Sequence, residues 1–441
     1  MAEEYASYRK TAVRISDFRM KIAFLTLGCK LNYAETSTYE RGFVANGLEV
    51  VPWKDKADIY LINTCSVTQH ADNKCRNIIR KCHRIAPDAT IVVTGCYAEL
   101  KRDEVMAIEG VRLVFGAKDK NRVVSDTLKM ISPDYKSLSL AQEYKEISKE
   151  TMAAYSSRER TRSFLKIQDG CNNFCAYCTV PYARGESRNI PICELVKQAG
   201  QIASSGIKEI VLTGVNTGDF GRSTGESFLD LIKALNEVEG IERYRISSIE
   251  PNLITEEIID FLASGTKFQP HFHIPLQVGN DVLLAKVGRK YTTEFFYDRI
   301  SYIRSRFETD GRPNVFFGID VIVGLPGETE EMFEETYNFL AEKIKPAFIH
   351  IFPYSPRRGT RAVSMPDQVQ DSIKTLRVKR LEELSNRLNE EFIIANKGSV
   401  GKVLWESSAK GGKMFGYTGN YIRVERPYDK DKVGSIEEVI I

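Results

Sequence analysis

No apolar run in the chain approaches the ~18 residues that a membrane-spanning helix needs, and the opening stretch MAEEYASYRK lacks the apolar core of a secretion signal. Both absences predict a cytoplasmic protein with no membrane partner. Charge of one sign is also scarce: 62 Lys and Arg stand against 59 Asp and Glu, a formal net charge of +3. That balance excludes nucleic-acid binding by charge spread over the whole surface. The sequence holds one CxxC but no second CxxC and no HxxxH, so the usual four-ligand zinc pattern is missing.

What is present is length and core. At 441 residues, 42% of them hydrophobic, the chain has room for two or three domains. Nine cysteines in a reducing compartment read as metal ligands before disulfides. Met20, just before KIAFLTLGC, marks an alternative start that would make 1–19 a frayed extension. Basic charge is local: Lys74, Arg76, Arg80, Lys81 and Arg84 fall within 74–84 with no acid among them. Such a run is either a solvated helix face or a phosphate-facing patch.

Cys171, Cys175 and Cys178 form CNNFCAYC, just after the strand-like FLKIQ at 164–168. Thiolates hold iron–sulfur clusters, and a full set is four. Three leave one iron open, and an open position is where a metal centre does chemistry. Ordinary buried thiols or half a zinc site are the alternatives.

The first part of the chain alternates strands and helices. Strand-like 21–28, 59–66, 90–100 and 113–117 are separated by helical 35–47 and 73–87, which implies a parallel sheet with crossover helices. Cys29, Cys65 and Cys96 each fall at the carboxyl end of a successive strand, outside which such sheets bind ligands. They suit a second three-cysteine cluster; the alternative is three small hydrophobes in a core. Cys75, Cys82 and Cys193 sit in helical patterns and read as structural. Residues 120–160 read as a polar linker. A second α/β region follows, with strands at 207–214, 244–250, 272–279, 316–328 and 348–356, and then a long amphipathic helix over 369–395. Short strands at 403–406, 413–419 and 421–426 with glycine turns predict a small all-β barrel. The expected fold class is α/β with domains at 20–150, 157–395 and 396–441.

The segments LGCKLN, NTCSVT, VVTGCYAE, CNNFCAYC, PYARGESR, SSIEP, HIPLQ, GLPGET and FPYSPRRGT resemble those of the radical SAM methylthiotransferases over nearly all of the chain beyond residue 20. That resemblance implies an N-terminal cluster domain, a radical SAM partial TIM barrel with its site at the carboxyl ends of the strands, and a TRAM-like RNA-binding barrel. It implies two 4Fe-4S clusters, on Cys29, Cys65 and Cys96 and on Cys171, Cys175 and Cys178, with S-adenosylmethionine (SAM) at the open iron of the second. Within the family, aspartate-modifying enzymes resemble LGCPKN and those acting on isopentenyladenosine resemble GCQMN. Leu27-Gly28-Cys29-Lys30-Leu31-Asn32 and ARGESR at 183–188 look like the MtaB-type branch, which acts on threonylcarbamoyladenosine at position 37 of tRNA. The same chemistry on isopentenyladenosine-37, or on an aspartate of a small-subunit ribosomal protein, is the alternative. A non-catalytic electron carrier or RNA-binding protein with structural clusters is a third reading.

The same resemblance implies supporting roles. Tyr177 lies against adenine, Thr213 and Gly214 at the SAM amino group, and Ser247, Ser248 and Glu250 at the ribose. Gln277, Asp320 and Gly324 fall near the pocket, and Arg188 would pair with the SAM carboxylate. A structural role is the alternative for each, and His273 reads as a core histidine. Lys413, Tyr417, Tyr421 and Arg423 are candidate RNA contacts, by stacking and phosphate pairing. The implied partners are a tRNA anticodon stem-loop and a flavodoxin- or ferredoxin-type reductant, and the chain is expected to be a monomer.

Overall fold

The computed structural model describes residues 20–131, 151–156, 161–309 and 314–441. The extension 1–19, and 132–150 and 157–160 of the expected linker, lie outside the described residues.

Strands β1 (Lys21–Thr26), β2 (Glu49–Val50), β3 (Ile59–Thr64), β4 (Thr90–Gly95) and β5 (Val111–Phe115) form a parallel sheet in the order β2-β1-β3-β4-β5. β3, IYLINT, is buried along its whole length, as a central parallel strand covered on both faces must be. Helices α1 (Lys30–Ala45), α2 (Gln69–Ile85), α3 (Cys96–Leu100) and α4 (Arg102–Met106) surround it. Alternation along the strands divides the interior into two cores. One contains Tyr60 and Ile62 with Cys75 and Cys82 of α2, and the other Ile22 and Leu61 with Phe43 of α1.

The linker reading needs correction. Val123–Ile131 form a helix, α5, whose Val123 packs with Leu113 and Phe115, and Lys120 just before it is buried. The charged run ahead of α5 hides its short apolar face from a periodicity count.

Next come β6 (Ala154–Tyr155), β7 (Arg162–Lys166), β8 (Gln168–Asp169), α6 (Val180–Arg184), β9 (Arg188–Asn189) and α7 (Ile192–Ser204). Cys193, expected to be structural, is exposed. The chain continues through β10 (Glu209–Thr213), α8 (Phe228–Asn236), β11 (Arg243–Ile246), α9 (Glu256–Ala263), β12 (His271–Gln277), α10 (Asp281–Val287) and α11 (Thr293–Phe307). It then forms β13 (Phe316–Val323), α12 (Glu330–Asn338), β14 (Phe348–Pro353) and α13 (Asp371–Ala395). β7, β10 and β11 pair in parallel, as do β12, β13 and β14, and the bridge between Tyr244 and Phe268 links the two halves into a partial barrel. Ile210, Leu212, Ile274, Ile319 and Val321 face the helices. The alternate positions, among them Arg162, Lys166, Glu209, Arg245, His273 and Asp320, turn to the concave side. α1 closes the open edge, with Ala34 packed on Phe164 of β7.

β15 (Val400–Lys410), β16 (Lys413–Tyr417), β17 (Arg423–Pro427) and β18 (Ile436–Ile440) make an antiparallel half-barrel sheet, order β17-β16-β15-β18, around Val403, Trp405 and Met414. β18 was not foreseen in the sequence. Among the described residues no helix is long and apolar enough to cross a membrane.

Candidate active site

The CNNFCAYC loop leaves β8 through Gly170, at φ +77°, where a Cβ would stand 1.9 Å from the Glu186 carbonyl oxygen. Only glycine permits that approach. The Cys171 N–H then donates to the Gly185 carbonyl at 3.0 Å, tying the loop to the turn after α6. Each sulfur of the triad accepts one N–H. Asn173 donates to Cys171 Sγ at 3.5 Å, Val180 to Cys178 Sγ at 3.4 Å, and Arg289 Nη1 to Cys175 Sγ at 3.4 Å. Donors aimed at sulfur favour thiolate and tune a cluster's potential. As free thiols, Cys171 and Cys178 resist ionisation. Burial above all, with Cys175 and Cys171 adding to it, pushes Cys178 up to about 12, and burial raises Cys171 as well. Thiols this dry, each with a donor in place, fit an iron–sulfur cluster whose assembly removes their protons.

Cys29 follows β1, Cys65 follows β3 and Cys96 opens α3 straight after β4. Gly95, at φ +100°, makes that last turn within 2.4 Å (Cβ distance) of the Thr64 carbonyl oxygen. The three sulfurs sense one another: burial and then Cys96 push Cys65 up to about 12, and burial raises Cys96, with Arg184 and Lys120 opposing. Adjacent parallel strands thus deliver three thiols to one crevice, and this set fits a second three-thiolate cluster. Cys75 stays out of it; its Sγ donates to the Cys65 carbonyl at 3.5 Å.

A cavity of about 300 Å³ opens beside Cys178 of the loop triad and extends to the segment that follows Cys65. Its wall runs from Val67 and Thr68, just past Cys65, through Tyr177 and Cys178 to Gln277 and Asp320. Two charged locks hold the halves of this wall together. On one side Lys166 Nζ lies 2.7 Å from Asp169 and 2.9 Å from Glu35, Lys120 Nζ lies 2.6 Å from Glu35, and Arg184 Nη1 lies 2.9 Å from Asp169. All five residues are buried. Arg188 Nη2 adds a fourth cation 3.8 Å from Asp169, so cations outnumber anions in this cluster, and Arg184 acts electrostatically on Cys96 and Cys29. The surplus therefore complements thiolate charge in the first triad. On the other side Arg357 Nη2 reaches Ser66 Oγ at 2.7 Å and Asp72 Oδ2 at 2.8 Å. Glu35, Lys120, Lys166, Asp169, Arg289 and Arg357 escaped the sequence reading. The available signal was a charge inside an apolar strand, as with Lys166 in SFLKIQD.

The expected SAM residues divide by geometry. Tyr177, Gln277 and Asp320 line the cavity. Gln277 takes φ 70° at a break in the β12–β13 register, which Tyr291 supports by donating to the Pro275 carbonyl at 2.6 Å. The buried Ser247 Oγ, at the end of β11, has no partner among the described residues and is free for a ligand. Glu250 pairs with Arg289 and so stands one residue from the Cys175 sulfur. The Ser248 carbonyl accepts from Thr217. Thr213 spends its hydroxyl on the Leu165 carbonyl at 3.0 Å, and Gly214 abuts Gln168. Gly324 faces Lys374 of α13. Arg188 donates to the Arg184 and Glu186 carbonyls at 2.8 and 3.1 Å, within its own turn.

His273, expected in a core, is half-buried on the concave face, with Nε2 2.6 Å from Asp320 Oδ1. His350 stands beside it, ring centroids 4.8 Å apart. The ligating atoms of these three residues lie within 4.8 Å of one another. A 2.6 Å contact is shorter than two ligands on one ion comfortably keep at metal–ligand distances of ~2.0–2.2 Å, and the arrangement is a His–Asp hydrogen bond.

Among the RNA candidates, Lys413 and Arg423 are exposed and share Glu425, at 3.7 and 2.9 Å. Tyr417 and Tyr421 stack at 4.7 Å, and Arg162 of β7 lies over both rings. Tyr421 also meets His271 and Phe316, so these two tyrosines build the seam between sheet and barrel. In 74–84, Arg76 pairs with Glu104, and Glu104 and Glu109 line the same groove as Arg80 and Arg84. Acids that lie elsewhere in sequence thus dilute the patch.

Residues 21–116 match the family described as Uncharacterized protein family UPF0004, and 165–340 match the Radical SAM superfamily. The chain is 41% identical to threonylcarbamoyladenosine tRNA methylthiotransferase MtaB of Bacillus subtilis, over 95% of this chain and 93% of that protein. With the protein of the same name from Aquifex aeolicus it shares 36% over 96% and 100%. A tRNA-2-methylthio-N(6)-dimethylallyladenosine synthase of Thermoanaerobacter is 32% identical over 87% and 82%. Among solved structures, the radical SAM methyltransferase TsrM of Kitasatospora setae superposes with a TM-score of 0.54 at 14% identity, covering 75% of this chain and 72% of that one. That likeness is one of fold. Two cysteine triads, one at the ends of parallel strands and one in the CNNFCAYC loop, and full-length identity at this level lead to one conclusion: the chain belongs to the MtaB-type radical SAM methylthiotransferases, enzymes that transfer a methylthio group.

Proposed function

We propose that the protein adds a methylthio group to carbon 2 of N6-threonylcarbamoyladenosine at position 37 of tRNA, with two 4Fe-4S clusters and two SAM per turnover. The observation that carries this reading is the cavity whose wall runs from the segment after Cys65 to Cys178. An unactivated aromatic C–H has no acid–base route at neutral pH, so the clusters and SAM supply the radical and sulfur chemistry. The protein's residues hold and position. Cys171, Cys175 and Cys178 bind the SAM-cleaving cluster, with Arg289 linking that site to Glu250. Cys29, Cys65 and Cys96 bind the sulfur-donating one, against the surplus positive charge of Arg184 and its neighbours. Tyr177 and the Ser247 hydroxyl contact SAM. Lys413 and Arg423 offer an exposed basic edge to the anticodon stem-loop. A flavodoxin- or ferredoxin-type reductant supplies electrons, and the enzyme works as a cytoplasmic monomer.

Deletion of the gene, followed by mass spectrometry of tRNA nucleosides, tests this. The expected result is loss of methylthio-threonylcarbamoyladenosine with accumulation of its precursor. Loss of methylthio-isopentenyladenosine instead would refute the substrate assignment.

A further inference from the structure

The concave face of the barrel is rich in cations, and nearly all are already engaged. Arg162 pairs with Glu406 and lies 3.5 Å from Glu209. Arg243 lies 3.6 Å from Glu209, and Arg245 2.9 Å from it while also donating to the Thr418 and Gly419 carbonyls. Lys166 is held by Glu35 and Asp169.

Lys30 differs. It is the first residue of α1, adjoins Cys29, is exposed, and among the described residues has no hydrogen-bond or ion-pair partner. It is within electrostatic reach of Arg162, Arg245 and Asp320, and of His271 and His350. Those residues lie on β7, β11, β13, β12 and β14, so Lys30 reaches from the first triad into the mouth of the barrel. Strand β14, whose His350 Lys30 acts on, is aromatic on its concave side: Phe348, His350 and Phe352 alternate onto one face, with Phe348 and Phe352 40% and 48% exposed. A flat base has a stacking surface there, and an anion attached to it has one uncommitted cation to meet.

We propose that Lys30 reads the N6 substituent, its ammonium pairing with the carboxylate of the threonylcarbamoyl group. This rests on the function proposed above. A dimethylallyl group carries no charge and would leave the lysine unpaired, so one side chain beside Cys29 separates an acidic from a neutral adenosine modification. SAM carries a carboxylate too, and the test must tell the two sources apart.

Reconstituted wild type and Lys30→Met are compared on two anticodon stem-loop RNAs, one with threonylcarbamoyladenosine at position 37 and one with its threonyl methyl ester. The readouts are kcat/KM, RNA affinity without reductant, and KM for SAM. Wild type is expected to prefer the acid over the ester by roughly 10- to 100-fold, the range for a hydrogen bond to a charged group. Lys30→Met is expected to lose that preference through the acid alone, with ester turnover and the KM for SAM unchanged. The unchanged ester rate also reports that the variant is folded. An acid-to-ester ratio preserved in Lys30→Met overturns the inference. So does a raised KM for SAM with that ratio intact, which would assign the ammonium to the SAM carboxylate. Wild type inactive on both RNAs overturns the proposed function itself, and this inference with it.

Discussion

Arg184 Nη2 donates to Asn32 Oδ1 at 3.1 Å, and the same oxygen accepts the Cys29 S–H at 3.1 Å. An arginine of the barrel thereby orients a cysteine of the other triad, while its Nη1 joins the buried Glu35–Asp169 lock. Arg184→Met should leave two buried carboxylates underpaired and Cys29 unsupported. The expected loss is about 3–5 kcal/mol of unfolding free energy, measured by urea on the metal-free protein. In reconstituted protein the iron of the N-terminal triad should fall selectively.

Single Cys→Ala changes at Cys29, Cys65 or Cys96 should each remove about four of about eight irons, and so should changes at Cys171, Cys175 or Cys178. Cys82→Ala and Cys193→Ala should retain the full content. Cys82 is raised to about 12 by burial, with only Lys81 acting against it. Iron analysis with electron paramagnetic resonance of each variant checks the assignment of six ligands, and full iron in any of the six triad variants would refute it.

The C-terminal sheet should separate RNA binding from docking. Lys413→Glu with Arg423→Glu changes only exposed side chains, and it should weaken stem-loop binding by about tenfold or more at low salt. Both changes give up a surface pair with Glu425, so the variant's unfolding free energy should fall by no more than about 1 kcal/mol. Tyr421→Ala removes the ring between Tyr417, His271 and Phe316 and should cost about 2 kcal/mol or more. Filter binding and denaturation, run on the same preparations, distinguish the two outcomes.

Acid should loosen the barrel before it reaches the carboxylates. Burial first, then His273 and Lys30, hold His350 down to about 4 against the pull of Asp320, and His271 is depressed in the same direction by burial. An unfolded histidine titrates near ~6.5. Between about 6.5 and about 4 the unfolded chain therefore binds more protons, and stability falls as pH falls through that window. Above about 6.5 the contribution is complete. His350→Gln should flatten this limb in urea unfolding of the metal-free protein, and an unaltered pH profile would count against it.

Much of the site was legible in linear order. CNNFCAYC is local, and its ligand spacing needs no tertiary information. The first triad was readable because Cys29, Cys65 and Cys96 each directly follow a strand, and strand ends of a parallel sheet converge. The charged locks were not legible. Glu35, Asp169 and Arg184 look like ordinary surface charges in sequence, and they are buried only because α1 docks on β7. The same docking turns Lys120 from apparent linker into core. His273 was misread because alternation gives a strand residue two possible faces, and in a partial barrel the concave one is wet and polar.

The sequence by itself determined the chemistry: six thiols at strand ends and in one loop, and the order of three folding units. These follow from local spacing and period, which act over a few residues. The tertiary structure decided which charges are spent and which remain free. Arg162 and Arg245 find Glu209, and Lys166 finds Glu35, all from distant segments, while Lys30, at the open end of α1, finds no carboxylate among the described residues. Pairing of that kind depends on distance in space and on exclusion of water, and neither is written along the chain.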